Sequence, residues 1–247
     1  MSGHSKWNNI HRTKEKMDAQ RGKIFTKIGK ELVVAVKAGG PDPNSNAKLR
    51  DVIAKAKANN MPNDNIQRSI KKASGELANV NYVSVTYEGY GVGGSAIICE
   101  CLTDNKNRTA GDVRHIFDKS GGSLGSTNSV GYLFSREGTL ICEKKDSINE
   151  EALMDLVLEA EALDMVVEDD VYVIKTEPND LHRVKDFLEN RGLEFIEANV
   201  ALVPSNYIDL DDEQYEKFMR MIDALEENDD VQNVYHNVQI KDEDEEE

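Results

Sequence analysis

Trp7 stands between Lys6 and Arg12 in a leader, residues 1–22, that also carries Lys14, Lys16 and Arg21 but almost no aliphatic residues spaced to pack alone. An indole among cations suits one chemistry: the ring stacks on nucleobases while lysine and arginine neutralise phosphate. The segment is too polar to bury Trp7, so it is read as a flexible basic arm that orders on a polyanion. The same residue types recur downstream at helical spacing. Lys23, Lys27 and Lys30, with Lys37, fall within about 80° of one another at 100° per residue. Lys48 and Lys55 flank one side of the next apolar stripe, Arg50 and Lys57 the other, and Arg68, Lys71 and Lys72 rim a third. Lys106 and Arg108, with Arg114 and Lys119, form a further basic patch. One charged helix face implies only solvation; cations outnumbering acids by more than two to one over the arm and three successive helices point to phosphate.

Covalent chemistry finds no such support. His4, His11, His115, His182 and His236 are scattered, with no H-E-x-x-H, no zinc spacing, no G-x-S-x-G and no P-loop. Gly89, Gly91 and Gly94 satisfy G-x-G-x-x-G, but that motif serves a dinucleotide only between a strand and a helix. Here strand-like runs lie on both sides, so the glycines mark a hairpin turn. Behind a free amine, Ser2, Gly3 and His4 match a square-planar Cu(II) or Ni(II) chelate, a pattern that any small-residue leader with such a histidine produces by accident. Cys99, Cys101 and Cys142 are an odd count without C-x-x-C and read as reduced packing residues. The expectation is a non-enzymatic protein with no catalytic residue, no metal site and no cofactor.

The charge is unevenly spread. The 247 residues carry a net −16, yet residues 1–76 hold 16 Lys+Arg against 7 Asp+Glu, and the rest hold 14 against 39. Exposed charges more than about 8 to 10 Å apart are largely screened at physiological salt, so a basic head can bind phosphate beneath an acidic body. No run approaches the roughly 18 apolar residues of a membrane helix, and the leader lacks the apolar region of a secretory signal. A soluble cytoplasmic monomer without a membrane partner is expected. The acidic tail, residues 241–247, reads as disordered.

The elements that must position these cations follow from periodicity. Phe25, Ile28, Leu32 and Val36 define one helix ended by Gly39, Gly40 and Pro41; Leu49, Val52, Ile53 and Ala56 a second; Ile66, Ile70 and Ala73 a third that starts at Pro62 to Asp64 and stops at Gly75. From there the period becomes alternating, with strands near 81–88 and 95–102. A helix follows, its start signalled by Thr109 with Asp112 and its buried face by Val113, Ile116 and Phe117. A strand at 129–134 is expected next, then a βαββαβ unit of ferredoxin-like order with helices at 149–163 and 180–190 and a last strand at 193–202. A final helix (Phe218, Ile222, Leu225) and a strand (Val234, Val238, Ile240) return to the earlier sheet, because short connections leave them no other partner. The fold class is therefore α+β: a basic three-helix domain at 23–77, a discontinuous α+β domain of 78–136 plus 205–240, and an inserted ferredoxin-like domain at 137–204.

The runs "GHSKWNNI", "GKIFTKIGKEL", "AGGPDPNSNAKLR", "AKANNMPNDNIQRSIKKASG", "YEGYGVGG", "TDNKNRTAGDVRHIF" and "DDVQNVYHNV" together resemble the YebC/PmpR family over nearly the whole chain. The sequence departs from that pattern at Val92, where the turn usually has proline, and at Asn128 and Glu161, where glycine is usual. The resemblance implies a helical domain followed by two α+β domains, one of them discontinuous. It also implies a DNA-binding transcriptional regulator, or alternatively a translational activator that contacts ribosomal RNA or tRNA at the ribosome. An interaction adaptor using its ferredoxin-like faces would leave the basic head unexplained. The exposed positions are mainly lysine, a point charge suited to phosphate rather than to bidentate reading of base edges. From the sequence, changing Lys23, Lys27 and Lys30 to glutamate is expected to abolish nucleic-acid binding with an unchanged circular dichroism spectrum.

Overall fold

The first described helix, α1 (22–39), forms where Ile28, Leu32, Val33, Ala35 and Val36 recur on one face and become buried. It stops where Gly40 turns to φ +85 and returns its N–H to the Val36 carbonyl at 2.7 Å. The structure is a computed structural model and describes residues 22–75, 79–145, 148–168 and 170–241. The expected arm and almost all of the acidic tail lie outside these residues.

Asn46 fastens the next helix to α1. Its side-chain oxygen accepts from Leu49 N–H at 3.0 Å, capping α2 (Ala47–Ala58), and its amide donates to the Ala35 and Gly40 carbonyls, each at 2.8 Å. A β-carbon at Gly39 would approach the Asn46 side chain to 2.8 Å, so glycine is required there. Beyond Pro62, α3 (Asn63–Ser74) buries Ile66, Ile70 and Ala73. The three helices share one apolar core, with Leu32, Leu49 and Ile66 almost fully enclosed.

Two strands then pair as the expected hairpin, β1 (Val83–Tyr90) antiparallel to β2 (Ala96–Thr103), in register from Val83 with Thr103 to Tyr90 with Ala96. The glycine-rich link takes φ +64 at Gly93 and +79 at Gly94, and a β-carbon at Gly93 would come within 2.4 Å of Leu210. The next helix, α4 (Lys106–Lys119), starts earlier than the sequence suggested. Asn105 caps it through the Arg108 N–H at 3.1 Å, while Thr109 is fully buried. After the two-residue β3 (Ser123–Leu124), Glu88 secures the following loop by accepting N–H groups from Asn128, Val130 and Gly131. No separate strand spans 129–134; a 3₁₀ turn at Gly131–Leu133 runs into β4 (Phe134–Glu143).

The chain divides into two compact units, one running through Gly131 and resuming at Leu210–His236, the other Tyr132–Asp209 and from Asn237 on. The second unit continues from β4 through α5 (Glu150–Glu159), β5 (Asp164–Val167), β6 (Val171–Thr176), α6 (Leu181–Glu189) and β7 (Glu197–Pro204). Its antiparallel sheet has the order β5-β6-β4-β7. The first unit is completed by α7 (Asp212–Glu227), which buries Phe218, Met221, Ile222 and Leu225, and by β8 (Val231–His236). β8 pairs with β2, giving a second antiparallel sheet of order β3-β1-β2-β8. The last strand ends at His236, short of the expected Val238 and Ile240; Val238 forms an isolated bridge with Ile208.

Glu161 sits at φ +55 immediately past α5, where its N–H bonds to the Leu158 carbonyl and that of Ala162 to Val157. This is the left-handed C-terminal turn that favours glycine, and a β-carbon there costs about 1 kcal/mol. The exposed Glu161–Arg183 pair at 3.4 Å offsets little of that. Glu161→Gly is therefore expected to stabilise the protein by up to about 1 kcal/mol, read as a higher urea midpoint.

Candidate nucleic-acid interface

The lysine ladder of α1 comes together as its spacing predicts, but Lys27 and Lys30 face protein rather than open water, while Lys23 stays 41% exposed beside them. Lys23 lies 3.9 Å from the Glu227 carboxylate, and Lys27 donates to the Glu226 carbonyl at 2.7 Å. Lys30 donates to the Asp229 carbonyl at 2.8 Å and to Asp230 Oδ1 at 2.5 Å, leaving its side chain 12% exposed. The last turn of α7 contains Glu226 and Glu227 and no base. A helix C-terminus carries partial negative charge on its free carbonyls, so α1 supplies the cations that α7 lacks. The expectation of an open polar face is thereby corrected at Lys27 and Lys30. Glutamate at these positions would set carboxylates against carboxylates and disturb the fold.

Asp230 is the centre of this junction, with its side chain 6% exposed. Besides Lys30, it accepts Arg108 Nη2 at 2.7 Å, Thr109 Oγ1 at 2.8 Å and Thr103 Oγ1 at 3.1 Å, all on Oδ2. Burial pushes this carboxyl up, but the hydrogen bonds from Arg108, Lys30 and Thr109 outweigh it and bring it down to about 2. Arg108 also holds Asp104 at 2.9 Å, so half of the expected Lys106/Arg108 patch is committed to internal acids. For Lys27 the balance runs the other way: burial lowers its pKa, and the nearby Glu226 and Asp229 charges restore only part of it. An open cleft of about 480 Å³ above the junction, lined by Lys23, Thr26, Asp112 and Asp229 among others, mixes both signs and suits no single anion.

The remaining candidates separate clearly. Arg50 donates to the Pro43 and Asn44 carbonyls, and Lys55 reaches Glu31 at 2.6 Å. Lys48, Lys57, Arg68, Lys71, Lys72 and Lys106 are exposed. Among the described residues none of these six has a carboxylate partner. Lys6, Trp7, Arg12, Lys14, Lys16 and Arg21 lie outside the described residues. Asp230, Thr103 and Thr109 were missed by sequence reasoning; the only signal was an acid directly before an apolar strand, in "DDVQNV".

Burial raises the thiols of Cys101 to about 12 and Cys142 to about 11, and that of Cys99 well above its usual value. No group of three or more metal-ligating side chains occurs among the described residues, and no described helix is long and apolar enough to cross a membrane.

Asp230→Asn removes the charge that Lys30 and Arg108 share, and breaking so enclosed a pair is expected to cost about 3 kcal/mol, measured by urea unfolding. In the wild type the Asp230 carboxyl is lower when folded than when unfolded. Its contribution, about 2 kcal/mol, is present above about pH 4 and lost as pH falls toward 2. The loss should be reduced in Asp230→Asn.

Models of one family match in two parts, the "TACO1/YebC protein N-terminal domain" at residues 5–76 and the "TACO1/YebC second and third domain" at residues 82–238. A protein of Clostridium botulinum (strain Okra / Type B1) named "Probable transcriptional regulatory protein" is 58% identical over 240 residues, 97% of this chain and 98% of its own. One of Thermoanaerobacter pseudethanolicus, likewise named a probable transcriptional regulatory protein, is 57% identical over 246 residues, covering both chains in full. The crystal structure of a conserved hypothetical protein from Aquifex aeolicus superposes with a TM-score of 0.81 at 41% identity, over 94% of this chain and 96% of that one.

Proposed function

The chain belongs to the TACO1/YebC family, and on that premise we propose that it is a non-enzymatic, cytoplasmic regulator that binds DNA through its basic helical segment and arm. The observation that carries this reading is the set of exposed cations on α2 and α3 without a carboxylate partner among the described residues: Lys48, Lys57, Arg68, Lys71 and Lys72. Arg68, Lys71 and Lys72 fall within one turn of α3, whose opposite face is committed to the core through Ile66, Ile70 and Ala73. Cations left in water on helices fixed to a shared apolar core keep their charge available for phosphate. The names of the Clostridium and Thermoanaerobacter proteins support regulation of transcription as the process.

Lysine outnumbers arginine on this surface, and a point charge fixes phosphate without reading base edges. Affinity should therefore fall steeply with salt, about 0.9 log unit per log unit of salt for each phosphate neutralised on duplex DNA. The second unit adds a frame whose strand order, β5-β6-β4-β7 with α5 and α6 in the crossovers, supports the ferredoxin-like reading.

Arg68→Glu/Lys71→Glu/Lys72→Glu is expected to weaken duplex binding by at least a hundredfold in fluorescence anisotropy, with the protein still folded and its melting temperature lowered by only a few degrees, because all three side chains are exposed and only Lys71 and Lys72 favour the C-terminal dipole of α3. Sucrose-gradient fractionation of a gently lysed host then identifies the target. Protein at the top of the gradient, with discrete promoters enriched by chromatin immunoprecipitation, supports the transcriptional role. Ribonuclease-sensitive migration with ribosomes, lost in the triple variant, would replace it with a translation factor acting on ribosomal RNA.

A further inference from the structure

Three lysines of α1 meet four residues of the run Glu226-Glu227-Asn228-Asp229-Asp230. Lys23, Lys27 and Lys30, at i, i+4 and i+7, contact Glu227, the Glu226 carbonyl, and the Asp229 carbonyl with the Asp230 carboxylate. The oxygens lie on the last turn of α7 and the tight turn after it, and a lysine ladder that gathers several anionic and carbonyl oxygens in this way has the charge and spacing to gather phosphate oxygens instead. We propose that this run is an internal phosphate mimic that occupies the lysine face of α1 and withholds it from nucleic acid, an inference that rests on the nucleic-acid reading above.

Three further observations carry it. First, the apolar core of the helical segment closes on itself: its members run from Ile28 to Ala73, with Ile24, Phe25, Ile53 and Tyr82 packed against them and, among the described residues, none beyond Tyr82. Releasing α1 from the acidic run would leave that core intact. Second, Asp230 keeps Arg108, Thr103 and Thr109 on Oδ2 when Lys30 departs from Oδ1, so the carboxylate is not orphaned. Third, burial depresses Lys27 more than its acidic neighbours raise it, so the masked state holds that ammonium at a desolvation cost that release recovers. A lysine face available only in the released state binds with its affinity reduced by the fraction released.

The test uses the full chain and a fluorescein-labelled DNA duplex, titrated by anisotropy over a range of salt. Glu226→Gln/Glu227→Gln/Asp229→Asn weakens the mask and leaves Asp230 in place. A control, Glu150→Gln/Glu151→Gln/Asp155→Asn, makes the same charge change on exposed positions of α5. The unmasked variant should bind at least tenfold tighter at low salt, with a log–log salt slope steeper by about 2 to 3 units. The control should shift affinity less than threefold, and adding Lys23→Gln/Lys27→Gln/Lys30→Gln should remove the gain. Equal gains in the unmasked variant and the control, or a gain that survives loss of the lysines, would overturn the mask. So would a wild type that binds through α2 and α3 with no gain on unmasking, and that result leaves the nucleic-acid reading standing. Absence of binding by every form would overturn the nucleic-acid reading itself. Hydrogen exchange on the wild type gives a second readout free of folding defects. Amides of residues 226–230 should exchange faster when duplex is added, and unchanged or slower exchange there counts against release.

Discussion

A carboxylate taken out of water must find cations and donors or give up its charge, and the geometry of the first unit follows from how Asp230 meets that requirement. Three segments send four groups to it: α1 sends Lys30, the end of β2 sends Thr103, and α4 sends Arg108 and Thr109. The Asp230 carbonyl in turn accepts the Leu102 N–H at 2.7 Å, just before β8 begins. The contact therefore sets where β8 starts along β2 and where α4 begins relative to the sheet. It also seats the basic helical segment against the end of α7.

This hub sorts the cations of a chain that is basic at one end and acidic elsewhere. Lys27, Lys30 and Arg108 neutralise internal carbonyls and carboxylates, and Lys55 holds Glu31. Lys48, Lys57, Arg68, Lys71 and Lys72 stay in water on α2 and α3, where the turn chemistry of Asn46 and the apolar core hold the helix backbones rigid. Structural cations are those that reach an acid with little loss of freedom. The others stay exposed, with no carboxylate partner among the described residues.

Much of the architecture was legible because burial of an apolar stripe is a local demand. Leu49, Val52 and Ala56, and Ile66, Ile70 and Ala73, are three or four residues apart in the sequence and lie buried on one side of their helices. The glycines at 89, 91 and 94 read as a hairpin because strand-like alternation continued on both sides, and β1 and β2 pair there. Errors fell where a local signal competed with a distant one. Thr109 looked like a helix cap, yet its hydroxyl serves Asp230, and the cap passed to Asn105. The run at 129–134 looked like a strand, but Glu88, some forty residues earlier, gathers its first N–H groups into a loop.

By itself the sequence determined which elements form, that the first 76 residues are basic and the rest acidic, and that the side chains suit phosphate better than covalent chemistry. Periodicity and composition are sums over near neighbours, and neighbours are what a sequence displays. Only the tertiary structure decided which lysines remain available. Lys30 and Asp230 are separated by 200 positions and meet at 2.5 Å. No spacing rule reaches that far, because such a contact exists only once α7 has packed on its sheet and brought its acidic end to α1.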